Sequence, residues 1–470
     1  MIKIISKISP LLKLHCATHR NFYRTSKIMF GMDVVPPVSV RGMTVLDKDK
    51  FNQVVELPMI QIPNEKLNDI LKIFKKFLLK LSKFKPVRDN PNNSDSKLIV
   101  LDPVNFKSST DLEKIIDDSK HITNISLNYN STELTYDNWS HQSIFKAVLP
   151  ENNELSSYSI IGHIIHLNLK DCNLPFKKLI GEVLLDKVPQ CNIVINKTNS
   201  VDNVYRTFMM EVLAGEGDTI TSVSENGVSF KLDFSKVFWN PRLSHEHSII
   251  VSKINHRDVL FDVMAGIGPF SVPAAKKKKA IVFANDLNPI SFKYLVENCS
   301  NNKVLNRVSC YNKDAEEFIK TIVKNKLVEL WNDENFEQNI HITMNLPAKA
   351  VEFLPSFIGL LSDVATTPNN DSFPNIFVHV YMFCSKSDRE TCMNVLYEHF
   401  MVKDLENKGT LWVDDAIDEI ISVRNVSNNK FMMRASIKLP LHVLIKQTTN
   451  SNGNCDLERP SKCLKLDHNN

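Results

Sequence analysis

The sequence predicts an α/β protein: a parallel sheet with crossover helices in the C-terminal half, preceded by an α+β domain and a smaller N-terminal domain. Three observations predict it. From about Lys236, apolar strand-like runs alternate with helical stretches, the pattern of a parallel sheet. One of those runs ends in a tight Gly-x-Gly turn at Gly266 and Gly268. Upstream, residues 141–235 hold several β-type runs around one helical stretch.

Composition supports a globular chain. Its 470 residues suit about three domains at the usual ~150 residues each. Hydrophobic residues make up 43%, ample for buried cores, and charged residues 23%, near the ~25% of ordinary domains. A wholly disordered chain, collagen and a compact disulfide scaffold are excluded. The net charge of +4 is small, so any polyanion must be met by a local patch. The nine cysteines are scattered, with no Cys-x-x-Cys pair, so no metal site is expected. No apolar run reaches the ~18 residues of a membrane helix, and no membrane partner is expected.

Residues 1–32 carry Lys3, Lys7, Lys13, Arg20, Arg24 and Lys27, and the first acid is Asp33. Basic, acid-free and interspersed with apolar residues, this stretch has the composition of a mitochondrial transit peptide; a plain basic tail is the alternative. Met29 and Met32 could start a second form lacking the leader, placed in the cytoplasm or nucleus. Residues 33–140 are expected to form an N-terminal domain. It opens on the Pro-rich 34–37, with a helix over Asn64–Lys85, where apolar residues recur every three or four positions, and a polar loop over 86–98. The next domain, 141–235, is expected to carry strands at Ile160–Leu169, Asn192–Asn196 and Val228–Asp233 and a helix near Pro175–Asp186. In 236–450 the expected order is strand Val259–Val263, helix after Pro269, strand Ala280–Ala284, helix after Pro289 and strand Ile340–Met344. The polar tail, 451–470, is expected to be disordered.

The candidate cofactor crevice follows the first of those strands. Twelve glycines are few for 470 residues, against an average near ~7%, so the pair Gly266 and Gly268 stands out. Glycine lets the backbone turn sharply and approach a ligand. In open α/β sheets that ligand sits beyond the strands' carboxyl ends. Asp262 ends the strand before the turn; Asp286, at the end of the next strand, is placed for the two hydroxyls of a ribose, with Leu287 beside it. Asp314, in the following loop, could face an adenine edge or simply cap a helix. Position 271 is serine, so the dinucleotide fingerprint Gly-x-Gly-x-x-Gly is incomplete. S-adenosylmethionine therefore fits better than a nicotinamide dinucleotide. Asn345, in the proline-stiffened Asn345-Leu346-Pro347-Ala348, can hold a base through its amide.

These motifs, together with Arg41-Gly42-Met43, the run Gly162–Leu169, Val183–Lys187, Asn203-Val204-Tyr205-Arg206, Asn240–Glu246 and Val423–Val426, resemble the eukaryotic and archaeal-type tRNA (guanine-37-N1)-methyltransferases over roughly residues 33–445. The resemblance implies a Rossmann-like S-adenosylmethionine-dependent methyltransferase domain, preceded by an α+β RNA-positioning domain and a smaller N-terminal domain that recognises tRNA. It implies a monomer acting on guanosine 37 beside the anticodon, in support of reading-frame maintenance.

The resemblance also assigns roles. Guanine N1 carries a proton at neutral pH, and Glu246 matches the general base that removes it, a role commonly worth ~10²–10⁴ in rate. Arg206 matches the arginine that stabilises charge on O6, a type of contact worth ~2.7–4 kcal/mol per donor. Asn345 would orient the guanine edge and also border the cofactor. From the residues alone, Glu246 reads as a helix-start carboxylate and Arg206 as a surface arginine. The run Lys276–Lys279 could contact RNA or complement a helix dipole. Met264, where an aromatic is expected, and an Asn/Asp-rich insertion at 365–375 depart from the family pattern. Three rivals remain: an aminocarboxypropyl transferase of wybutosine synthesis, a non-catalytic tRNA-binding protein and a nicotinamide oxidoreductase.

Overall fold

The computed structural model describes residues 26–27, 31–106, 108–118, 125–151, 153, 155, 157–198, 209–364, 373–400 and 412–445. Most of the leader, Arg206 with the rest of its motif, residues 365–372 of the insertion and the 451–470 tail lie outside the described residues. The chain forms two compact units. One takes the described residues up to Thr198 with Met210–Gly217; the other takes Met209 and the described residues from Asp218 on.

The first unit is built on two sheets. Strand Gln53–Pro63 is the spine of one, pairing antiparallel with Ser126–Leu134 and with Ser96–Val100. In the other, Ile164–Leu167 lies parallel to Ile193–Lys197, which pairs antiparallel with Met210–Gly215. The parallel step requires a crossover, supplied by helix Lys177–Lys187. One apolar cluster, including Phe51, Leu57, Trp139, Ile165, Leu179 and Val194, draws on both sheets. That shared core is why 33–140 and the following segment form one unit rather than the two domains expected.

Three local expectations change. The helix expected over Asn64–Lys85 is a 3-10 turn Asn64–Lys66, an α-helix Leu67–Phe74 and a second 3-10 turn Lys75–Phe77. Leu78 then turns extended to bridge Leu101, so the apolar residues that continued the helical pattern serve a sheet edge instead. The expected loop 86–98 contains the hairpin Val87–Asp89 with Ser96–Val100; its polar residues form only the turn, where the Asn90 and Asn93 side chains accept from the backbone two residues on. The run Ile160–Leu169 is a hairpin, folded at Gly162 with φ +58°.

The second unit carries a seven-stranded sheet: β1 (Val259–Asp262), β2 (Ile281–Asn285), β3 (Val308–Tyr311), β4 (Ile340–Met344), β5 (Ile376–Cys384), β6 (Ile417–Ser427) and β7 (Lys430–Lys438). Their order is β3-β2-β1-β4-β5-β7-β6, parallel from β3 to β5, with β7 antiparallel to both neighbours. Every residue of β1 and β4 is buried, as befits strands covered on both faces. The chain moves outward from β1 to β3 and then returns to place β4 on the other side of β1. The resulting switch point, beyond the carboxyl ends of β1 and β4, is where such sheets bind ligands.

The hairpin Ile220–Glu225 with Val228–Asp233 belongs to this unit, so the division falls at Gly217/Asp218 rather than at 235/236. The buried amide of Asn298 explains it: it accepts from the Lys231 N–H and donates to the Lys231 carbonyl, fixing the hairpin to helix Pro289–Asn301. Alternation along Val228–Asp233 gives no clue to which unit buries its apolar face. After the glycine turn, Val272 N–H bonds the Gly268 carbonyl, so Pro269 does begin the helical bonding. Pro273 has no N–H to continue it, and the α-turn Ser271–Pro273 passes into a π-helical segment, Ala274–Lys278. Among the described residues no helix is long and apolar enough to cross a membrane, and no group of three His, Cys, Asp or Glu is placed to hold a metal ion.

Candidate active site

The loops beyond β1, β2 and β3 are laced together by two asparagines. Asn285, the last residue of β2 and buried, donates to the Val263 and Lys313 carbonyls and accepts from the Lys313 N–H. Asn312 donates to the carbonyls of Asp286 (2.7 Å) and Leu287 (3.0 Å). The three loops that bear the cofactor candidates are thus one piece. Neither asparagine was singled out from the sequence; a polar residue closing the buried run Val282–Ala284 was the available signal.

Within this frame the glycine turn is held by Asp286. Its carboxylate accepts from the Gly266 N–H at 2.8 Å and the Asn288 N–H at 2.9 Å. Burial raises its pKa, and those N–H donors partly offset the rise. Gly266 has φ +57°, and a Cβ built there meets nothing within 4 Å. The space beside this backbone is therefore open to a ligand. Gly268, at φ +100°, is packed: an added Cβ would lie 2.9 Å from side-chain carbons of both Leu295 and Val272. Leu287 is 43% exposed next to Asp286. Asp314 caps the turn Ala315–Phe318 by accepting from the Glu316 N–H, the capping role weighed from sequence, and its loop is brought to Asp286 and Leu287 by Asn312.

Asp262 ends β1, as expected, and both its carboxylate oxygens are engaged within the protein. It is fully buried, and its two oxygens accept from Ser271 Oγ (2.6 Å) and Thr343 Oγ1 (2.8 Å). Burial pushes its carboxyl up to about 6, with the nearby Asp286 charge adding to the rise and the two hydroxyls opposing it. It supports the crevice by tying the glycine segment to β4. The serine at the missing third glycine is therefore one of the donors that fix Asp262.

Glu246 lies in the first turn of helix α1 (Ser244–Lys253) and is buried. Phe270, at the end of the glycine turn, packs edge-on against His247, with ring centroids 4.9 Å apart, and stacks toward Tyr381 at 6.2 Å. These contacts bring the start of α1, the glycine turn and the carboxyl end of β5 together. Glu246 Oε1 accepts from Tyr381 OH at 2.8 Å and from Arg434 Nε at 2.6 Å. Asn345 follows β4, half-buried, and its amide has no hydrogen-bond partner among the described residues. Its loop is anchored by the Phe383 N–H on the Pro347 carbonyl. The structure thus brings Glu246, Gly266, Gly268, Asp286, Leu287, Asp314 and Asn345 to the carboxyl-end side of one sheet, while Arg206 lies outside the described residues. The lysine run divides: Lys276 reaches the Gly227 carbonyl and Asn302 Oδ1, Lys278 the Ser252 carbonyl, and Lys279 ends the segment at φ +58°.

Comparison with known proteins gives a consistent picture. The TRM5/TYW2 methyltransferase domain matches residues 221–367 and the TYW2 N-terminal domain residues 141–219. The break between them lies within about three residues of the division between the two units at Gly217/Asp218. The chain is 46% identical over 425 residues to a tRNA (guanine(37)-N(1))-methyltransferase of Anopheles gambiae, covering 90% of this chain and 73% of the relative. It is 42% identical over 443 residues to that of Drosophila melanogaster, covering 93% of each. Among solved structures, Trm5b from Pyrococcus abyssi superposes with a TM-score of 0.54 at 21% identity, covering 81% of this chain and 99% of that one. The last of these speaks for the fold.

Proposed function

The chain belongs to the tRNA (guanine(37)-N(1))-methyltransferase family, and from that premise we infer that it transfers a methyl group from S-adenosylmethionine to N1 of guanosine 37 in tRNA. The observation that carries this reading is the convergence at the switch point. Glu246, from α1, is packed through Phe270 and Tyr381 against the same glycine turn whose open side at Gly266 can admit a ligand.

The residues fit the methyl donor. Asp286 and Leu287 would border its ribose, Gly266 would allow close backbone approach, and the loop of Asp314 would border its base. Bound there, S-adenosylmethionine supplies an electrophilic methyl group on a sulfonium. The work left to this chain is to make guanine N1 nucleophilic and to aim it. Asn345, its amide uncommitted, holds the guanine edge by a donor and an acceptor. Glu246 takes the N1 proton. Its Oε1 already accepts two bonds, which leaves Oε2 as the proton acceptor. Arg206 is retained as the O6 partner on the strength of the family motif. Holding acceptor and donor in line then provides much of the rate.

The test is incubation of the full chain with S-adenosylmethionine tritiated in its methyl group and tRNA bearing G37 or A37. Label in the G37 tRNA alone is expected; no label in any tRNA would contradict the reading. The match of residues 141–219 to a TYW2 N-terminal domain favours one other reading, aminocarboxypropyl transfer from the same donor.

The acid-free leader supports import into the mitochondrial matrix, with a cytoplasmic or nuclear form begun at Met29 or Met32. A tagged chain lacking residues 1–28 is expected to stay outside mitochondria; persistent import would overturn this.

A further inference from the structure

We propose that Arg434 and Tyr381 are positioning residues for Glu246, and that a chain of hydrogen bonds through Ser436, His379 and His341 to Asp258 fixes how Arg434 is aimed. This rests on the reading of Glu246 as the base.

The parts come together by register. On the β5–β7 pair, Tyr381 lies opposite Arg434 and His379 opposite Ser436. His341, on β4, stacks on His379 with ring planes 10° apart. Arg434, Ser436, His379, His341 and Asp258 are all buried. The chain runs from Asp258, which precedes β1 at the end of the sheet away from the crevice, to Glu246 at the crevice.

Its two ends are fixed by what each group can donate. A guanidinium only donates, so Arg434 Nη1 gives a hydrogen bond to Ser436 Oγ at 2.5 Å. Ser436 Oγ is also hydrogen-bonded to His379 Nδ1, 2.9 Å away, and His379 Nε2 to His341 Nδ1 at 3.1 Å. At the far end a carboxylate only accepts, so His341 Nε2 donates to Asp258 Oδ2 at 3.3 Å. Asp258 also accepts from the Asn255 and Asn339 N–H groups, which hold it as a carboxylate. Burial and the nearby cations keep His379 neutral. The chain is thus closed by an obligate donor at Arg434 and an obligate acceptor at Asp258.

The output of the chain is the aim of Arg434. Nη1 faces Ser436 and Glu419 Oε2 (3.1 Å), which is itself paired with Lys253, and this leaves Nε to Glu246 Oε1. Tyr381 OH occupies the same oxygen. With Oε1 fixed by two donors, Oε2 has one orientation. A proton relay along the chain is excluded, because arginine does not give up its proton. The inference is therefore one of orientation and charge. The buried Nη2 of Arg434 has no partner among the described residues, a feature that packing alone gives no reason to keep.

The experiment measures single-turnover methylation of G37 tRNA against pH for the full chain, with KM for tRNA and donor and a thermal melt. The variants are Ser436→Ala, Ser436→Thr, Arg434→Lys and Glu246→Gln. The charged and titratable groups around the clamp are His247 and Lys253 of α1, Asp262 of β1, Tyr381 of β5, Glu419 of β6 and Arg434 of β7; all are retained in both Ser436 variants. Ser436→Ala is expected to lower kcat about tenfold with both KM values within about twofold. Ser436→Thr, which keeps the hydroxyl, should restore kcat. Wild-type kcat in Ser436→Ala, or a loss that threonine does not repair, would overturn the proposal. So would a lowered melting temperature with unchanged kcat. Arg434→Lys loses the planar fork and should behave as Ser436→Ala or worse; if it fails to fold, the serine pair still decides. Full turnover in Glu246→Gln would instead remove the base itself, whatever the serine variants do.

Discussion

Replacing Glu246 with Gln lowers turnover about 10²–10⁴-fold, the usual worth of a general base, while tRNA affinity stays within about twofold. The amide keeps the shape of the carboxylate, and its carbonyl oxygen can still accept from Tyr381 OH and Arg434 Nε, which now meet at Oε1. What it loses is the ability to take a proton. Guanine N1 then remains protonated and without a lone pair for the methyl group. Removing one partner of a buried ion pair also costs stability, so a melt at the assay pH must accompany the rates. Turnover should be compared per folded molecule. A variant with wild-type turnover would remove Glu246 as the base.

Replacing Gly268 with Ala destabilises the second unit and abolishes donor binding. At φ +100° an L-residue is strained, a cost of about 1–3 kcal/mol. The added methyl would also sit 2.9 Å from carbons of Leu295 and Val272, and overpacking of this kind adds about 1–3 kcal/mol. Val272 lies in the turn that the Gly268 carbonyl begins, so the strain falls on the crevice itself. Gly266→Ala is the informative contrast. Its φ of +57° lies in the left-handed region at a cost of about 1–2 kcal/mol, with no steric neighbour. That methyl projects into the space left for the ligand, so donor affinity should fall more than the melting temperature does. Melts and equilibrium dialysis with the donor separate the two. A Gly268→Ala chain that melts and binds as the wild type does would contradict the packing account.

The parts of this architecture that the sequence made legible share one property: their pattern is complete within a short window. β1 and β4 are buried on both faces and read as short strand-like runs rich in apolar residues, and the glycine pair follows directly on one of them. The first-unit helix failed that test because Leu78 fits both a helix face and a sheet edge, and only the pairing with Leu101 chooses. The hairpin at Val87–Val100 was hidden by the polar residues of its own turn. Asp262 and Asp286 look alike in sequence, yet one is sealed under Ser271 and Thr343 and the other braces the glycine turn through the Gly266 N–H. Arg434 was the least accessible, since its partner Glu246 lies 188 residues earlier. The local signal was a single charge in Phe431–Ile437, a run that is otherwise apolar but for Ser436.

The central claim is that this crevice transfers a methyl group to guanine N1, and the products of one incubation test it most directly. The full chain, S-adenosylmethionine and G37 tRNA are combined; the tRNA is digested to nucleosides and the used donor is identified. The account predicts 1-methylguanosine from position 37 and S-adenosylhomocysteine in equal amounts. Methylthioadenosine in place of S-adenosylhomocysteine, with no methylated guanosine in the digest, would contradict it.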